Sequence, residues 1–401
     1  MNNLLKATVV SILASGVLAG CNAGDDTGSR PAASENEGSG TGAGASTPWV
    51  ATKNTTRVAT SDPIEAAVLV SRTLWTAVTD QNRPASVILT DVDNWQIAAA
   101  GTDLIHHPSN GPVLFVTKDG IPDVTLEEIK RLNPVGAHGN NGVQAILVGP
   151  IASGVEDELK ALKLKTDRIK GDEPAAIAQA VDEYYAEVAG ELPTAVVVAS
   201  MEQPEFTLPA VNWVAHMPEP LLYVTGEQIP APTAEALKKR GGKANIYLLG
   251  PDAVISGKVQ EELKAYGTVT RIEGKDAFEN AIAFAQFKDA ATQFGWGITT
   301  PGHNFSFVSK DSTMLAIAAA PFSHLGKHAP LLFTESDGVP DPVMEYLADL
   351  QPKFQQSPAE GPYNHAFLTG EEQAFTYKTQ SQIDDMLEIS PASGGNPHAG
   401  H

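Results

Sequence analysis

The residue whose setting most plainly implies chemistry is Cys21. It follows Leu18-Ala19-Gly20, behind a segment with an early Lys6 and an apolar run over 7–18. Charge, apolar stretch and small exit residues make residues 1–20 an export signal, and the cysteine fits a bacterial lipobox. Cleavage would leave Cys21 first, with a diacylglyceryl group on its thiol and a free amino group open to acylation. It is the single cysteine in 401 residues, so it has no intrachain disulfide partner and anchoring is the use that fits. Asp91 and Asp93 stand just past an expected strand, where a parallel α/β sheet presents ligand groups and two carboxylates suit Mg²⁺. The bland reading, a solvated turn, is preferred, because Ser200-Met201-Glu202 and Pro301-Gly302-His303 take that place elsewhere in the chain. His106-His107 precedes Pro108 and reads as a helix end; His398 and His401 lack a third fixed ligand. The mature chain has no Gly-x-Ser-x-Gly, His-Glu-x-x-His or Walker loop, and no Gly-x-Gly-x-x-Gly after a strand. The expectation is a protein without catalytic residues, metal or cofactor.

Around these residues the composition sets the frame. The formal charge is −21, one unit more negative once Lys6 leaves, and such a surface repels nucleic acid and anionic headgroups. Residues 22–48 are almost all small or polar without one aromatic ring, too little apolar area to offset the entropy of ordering. Residues 21–56 are therefore expected to be the lipidated cysteine and a Gly/Ser-rich tether, about 27 residues of it reaching roughly 30 Å from the membrane. Residues 390–401 read as a short flexible tail. No later apolar run approaches the roughly 20 residues needed to cross a bilayer. The intervening chain is long enough for two or three cores.

That stretch repeats. Gly111-Pro112-Val113-Leu114-Phe115-Val116-Thr117, Glu219-Pro220-Leu221-Leu222-Tyr223-Val224-Thr225 and Ala329-Pro330-Leu331-Leu332-Phe333-Thr334 recur about one small domain apart, giving copies over 57–167, 168–270 and 271–389. Each opens with Arg, then Val or Ile, then an Asp: Arg57-Val58 to Asp62, Arg168-Ile169 to Asp172, Arg271-Ile272 to Asp276. An Ala-rich helix with apolar residues at intervals of three and four follows over 64–78, 174–188 and 277–294. Next come a strand over 86–90, 195–199 or 296–300, a loop aromatic at Trp95, Phe206 or Phe305, a second helix and the Pro-x-Leu strand. Ile121-Pro122, Ile229-Pro230 and Val339-Pro340 then precede helices over 126–132, 233–239 and 343–350. A strand ending at Gly149, Gly250 or Gly370 follows. Copies one and two add a helix beginning near Ser153-Gly154-Val155 and Ser256-Gly257-Lys258; copy three is expected to lack it and to carry extra residues over 305–330. Short apolar strands alternating with helices predict parallel α/β units with both sheet faces covered.

In this order the pieces resemble the cell wall binding type 2 repeat, found in triplicate in surface-layer and cell-wall proteins of Gram-positive bacteria. The likeness rests on the Arg-Ile-x-Gly-x-Asp opening, the Pro-Ile-Leu-Leu-like strand, the Gly-Pro or Gly-Gly after the last strand and the Val-Ser-x-x-Val-x-x-Glu-Leu-like helix over 152–159 and 255–263. It covers about residues 57–389. The resemblance implies three parallel-sheet α/β modules around a pseudo-threefold axis, holding a protein non-covalently to an anionic wall polymer. It also places ligand contact near the Pro-x-Leu strands, which makes Pro112, Phe115, Pro220, Tyr223, Pro330 and Phe333 the candidate polymer-binding residues. Leu114, Leu222 and Leu332 read as core filling, while the prolines begin the strands, where a missing amide is tolerated, and shape a groove. Two departures matter: Trp95-Gln96-Ile97-Ala98 and Phe206-Thr207-Leu208-Pro209 lack the Asp that commonly follows the aromatic residue. Pro63-Ile64-Glu65-Ala66-Ala67 and Ala277-Phe278-Glu279-Asn280-Ala281 also replace an Arg-x-x-Thr-Ala run. With so acidic a chain, a neutral polymer, a contact bridged by divalent cations and a protein ligand all stay open.

The functional expectation is a lipid-anchored protein on the extracytoplasmic, wall-facing side of the cell membrane that binds cell wall or a surface polymer without catalysis. The alternative is a lipoprotein scaffold, or a solute- or partner-binding platform, whose repeats no longer bind wall polymer. A hydrolase or metal enzyme using one divergent copy is the third reading.

Overall fold

The computed structural model describes residues 49–325 and 327–394. The export segment, Cys21, the 22–48 stretch, His398 and His401 lie outside them. The described chain enters through an antiparallel pair, β1 (Trp49–Ala51) and β2 (Thr55–Val58). Copy one follows as α1 (Pro63–Leu74), β3 (Val87–Asp91), α2 (Trp95–Gly101), β4 (Val113–Val116), α3 (Asp123–Leu132), β5 (Ala145–Val148), α4 (Ser153–Ala161) and β6 (Thr166–Ile169). Copy two runs α5 (Pro174–Ala189), β7 (Ala195–Ser200), α6 (Pro204–Thr207), α7 (Pro209–Val214), β8 (Leu221–Val224), α8 (Ala231–Lys238), β9 (Ala244–Leu249), α9 (Gly257–Leu263) and β10 (Gly267–Ile272). Copy three is α10 (Ala277–Gln286), β11 (Asn304–Ser309), α11 (Thr313–Ala319), β12 (Leu331–Thr334), α12 (Asp341–Asp349), β13 (Lys353–Phe354), β14 (His365–Thr369), α13 (Tyr377–Leu387) and β15 (Ser390–Pro391).

The expected α/β class is what the chain adopts, with one strand order used in all copies. The sheets run β4-β3-β5-β6, β8-β7-β9-β10 and β12-β11-β14-β2, and all of these pairings are parallel. The fourth place is filled by the strand that carries Arg168, Arg271 or, in copy three, Arg57 from the start of the chain. The opening arginine therefore sits on a strand that completes a neighbouring copy's sheet, and the described chain closes on itself through β2. Each arginine then ties that strand to the loop after the third strand. Arg168 Nη1 donates to Ile151 O at 2.8 Å, Arg271 Nη2 to Ile255 O at 2.9 Å and Arg57 Nη2 to Phe375 O at 3.0 Å.

Local chemistry explains the elements. Asp62 Oδ1 accepts from Ile64 N and Asp276 Oδ1 from Glu279 N, capping α1 and α10, with Pro63 and Pro174 in first turns where proline is tolerated. The glycines that end the third strands, Gly149, Gly250 and Gly370, have φ of +88°, +122° and +146°, values that disfavour a side chain. The Pro-x-Leu strands β4, β8 and β12 are buried throughout. They are covered by α1, α5 and α10, and those helices also reach across: α1 to α11, α5 to α2, and α10 to α6 and α7. Burying apolar surface on both sides of one helix welds adjacent copies at roughly 25 cal/mol per Å².

Three expectations are corrected. The strand expected over 296–300 is β11, farther on. Gly295 and Gly297 adopt positive φ, and Gly297 N and Ile298 N donate to Phe287 O and Ala285 O, so that backbone is committed to the end of α10 and not to a sheet. Phe305 is consequently a buried strand residue, not a loop aromatic. Copy three does possess the last helix: α13 packs on β14 and β2, capped by Thr376 instead of a Ser-Gly start. Structure also begins inside the expected tether, at β1, and continues into the expected tail, where β15 pairs with β13.

Candidate functional site

In a parallel sheet, side chains and loops at the carboxyl ends of strands are free to meet a ligand. At the junction of copies two and three this edge forms a cavity of about 530 Å³. Its walls come from the start of α6 (Pro204, Glu205, Phe206), the start of α10 (Lys275 to Phe278) and the turn after β11 (Lys310, Asp311). A second cavity, about 470 Å³, shares Lys310 and Asp311 and continues over the ends of β11 and β12 to Thr334, Glu335 and Gln373. Together they make a trough along the strand ends of copy three.

Its charges come in pairs. Lys310 Nζ lies 2.9 Å from Asp311 Oδ1, and that bond, with Asp311, Glu335 and Glu205 nearby, holds the ammonium's pKa above its ordinary value. Lys275 is bonded to Glu279 and is raised for the same reason. Asp276 is engaged as the α10 cap. Exposed pairs like these contribute little stability, but they set donors and acceptors side by side between apolar faces of Phe206, Phe278 and Ala277. That arrangement suits a hydroxyl-rich chain better than a densely charged polyanion, whose field two neutralised lysines would not offset.

The six residues expected to touch polymer are elsewhere. Pro112, Pro220 and Pro330 are buried at the opposite, amino end of the strands. Their carbonyls accept from Ile88 N, Val197 N and Ser306 N at 3.0, 2.9 and 2.9 Å, which seats the neighbouring strand. Phe115, Tyr223 and Phe333 are fully buried, so they pack the core and present no surface to a ligand. Tyr223 has a further structural use: its hydroxyl donates to Gln96 O at 2.6 Å, joining copy two to copy one. Asp91 accepts Asp93 N at 2.8 Å, as Ser200 Oγ accepts Glu202 N at 3.0 Å, so Asp91 holds a turn. With β11 placed, the third member of that set is Ser309-Lys310-Asp311, and an acidic residue recurs two positions past β3, β7 and β11 as Asp93, Glu202 and Asp311. Among the described residues no group of three or more His, Cys, Asp or Glu is placed to hold a metal ion, and no helix is long and apolar enough to cross a membrane.

No family model matches the sequence, and no curated protein matches it. Among solved structures the fold is similar to Cwp6 from Clostridium difficile, with a TM-score of 0.63 and 16% identity over 83% of this chain and 47% of that one. It is similar also to Cwp8 from Clostridium difficile, with a TM-score of 0.62 and 16% identity over 83% of this chain and 52% of that one. The present chain thus spans about half the length of either. At this identity the likeness is one of fold.

Proposed function

We propose that this chain is a surface protein that holds cell wall or a surface polymer non-covalently through its α/β copies, without catalysis, while the lipid on Cys21 tethers it to the extracytoplasmic face of the membrane. The observation that carries the reading is the trough at the strand ends of copies two and three, open along its length and lined by paired charges and apolar faces. Its setting supports it: Cwp6 and Cwp8, which share the fold, are cell wall proteins. A neutral, hydroxyl-rich polymer is the ligand this lining favours.

Sedimentation with purified walls tests the reading, using walls with and without their secondary polymer. The full chain should sediment with intact walls and stay in solution with stripped ones. The double variant Lys275→Glu, Lys310→Glu, which turns the trough uniformly acidic, should weaken retention on the order of tenfold, about 1.4 kcal/mol. Retention that is unchanged by stripping, or missing from both samples, would overturn polymer binding and favour the scaffold alternative.

A further inference from the structure

Imidazoles from all copies gather on one part of the molecule away from the trough. His106 ends the second helical stretch of copy one, His216 follows α7, and His324 follows the helical turn Ala320–Ser323. The His106 ring centroid is 4.9 Å from that of His324 and 6.0 Å from that of His216. His216 is 4.3 Å from His328 and stacks on Trp296 at 5.9 Å with 8° between the planes. Beside this cluster lies a cavity of about 320 Å³, lined by Trp296, Ile298, His303, Asn304, Lys327 and His328, near the lower end for small-molecule sites.

Its chemistry differs from that of the trough. Every ionisable side chain on the lining is a base, although the chain as a whole carries −21. Lys327, whose Nζ stands 5.7 Å from the Phe367 ring centroid, forms no ion pair among the described residues. Trp296 Nε1, a donor and never an acceptor, is buried without a hydrogen-bond partner, and so is His216 Nδ1. Buried polar atoms are rarely left so.

We propose that this cavity binds a small oxyanion, a carboxylate or phosphate group, between Lys327, His303 and His328. The surrounding charges make such binding depend on pH. Those acting on His216, His303 and His324 are other imidazoles, His106, His216 and His328, which together with burial hold these rings neutral near pH 7. His365 on β14 faces Lys327 on one side and Asp384 on the other, and Glu219 is taken up by Trp213 Nε1 with Lys288 near it. An anion in the cavity supplies the counter-charge that the imidazoles lack, so anion and proton uptake favour each other. The site shares no residue with the trough and does not depend on wall binding.

Isothermal titration of the full chain with glucuronate, inorganic phosphate and glucose, at pH 7.5 and 5.5 and constant ionic strength, tests it. An oxyanion should bind more tightly at pH 5.5 than at pH 7.5, because anion and proton uptake favour each other, and glucose should not bind. Binding of phosphate alone, glucuronate alone or both supports the site and tells which oxyanion it accepts. The exposed Lys327→Gln change should cost tenfold or more in affinity without moving the melting temperature, and His303→Asn should flatten the pH dependence. Failure of both anions to bind at pH 5.5, equal binding of glucose, or affinity untouched by Lys327→Gln would overturn the proposal.

Discussion

Acid should destabilise this protein through His324 before it reaches most of the carboxylates. The ring is 6% exposed, and its Nε2 is 2.7 Å from Asn110 Oδ1 of copy one. Burial, then repulsion from His106, His216 and His328, holds its pKa down to about 3. His216 is held to about 4 by burial, then His328 and His106. A histidine in an unfolded chain titrates near 6.5. For a base depressed in the folded state, the unfolded chain takes up protons that the folded one refuses, so stability is whole above about pH 6.5 and falls as pH drops toward the folded values. At pH 4.5 the difference is about two pH units of linkage, ~2.7 kcal/mol for His324. His216 is more exposed, so solvent screening halves its share to roughly 1.3 kcal/mol. Urea unfolding followed by tryptophan fluorescence, from pH 7.5 to 4.5 at fixed ionic strength, would show the parent losing roughly 4 kcal/mol by this route. His324→Gln removes one titrating ring, so its deficit against the parent at pH 7.5 should shrink by ~2.7 kcal/mol at pH 4.5. Carboxylates held low by hydrogen bonds, such as Asp289, contribute equally to both curves. Parent and variant falling in parallel through this window would refute the assignment.

Two further changes probe the anchor and the closure of the fold. Cys21→Ser should release the protein into the medium and abolish labelling by a fatty-acid analogue; retention with full labelling would contradict lipidation. Arg57→Met leaves the Phe375 and Thr376 carbonyls, now bonded at 3.0 and 3.2 Å, without their buried partner. It should lower unfolding stability by about 2–3 kcal/mol, read from the urea midpoint. An unchanged midpoint would mean that β2 closes nothing.

The repeat's order was legible because apolar strands and proline landmarks return at fixed offsets, and most strands and helices followed from them, while the arginine-bearing fourth strands β2, β6 and β10 did not. What adjacency along the chain does not reveal is ownership. Arg57 opens copy one in sequence yet completes the sheet of copy three in space, since hydrogen bonding and not order along the chain decides which sheet a strand joins. The 296–300 segment imitated a strand by composition alone, and two glycines at positive φ turned its backbone aside. That one displacement also hid Lys310 and Asp311, which enter the series after Asp91 and Ser200 only once β11 is placed.

The six repeated candidates went astray for a related reason. Recurrence across copies records what each copy needs to fold, and a Pro-x-Leu strand with an aromatic residue is what a central parallel strand needs in its core. A ligand site between copies is under no such constraint. Lys310 stands where copies one and two have Val92 and Met201, so the residue that most distinguishes the trough is one that does not repeat. The same holds for the basic cavity, where Trp296, His303 and Lys327 belong to the stretches around β11 and β12 that make copy three longer. In this chain, then, the repeated string builds the scaffold, and binding chemistry is to be sought where one copy departs from the other two.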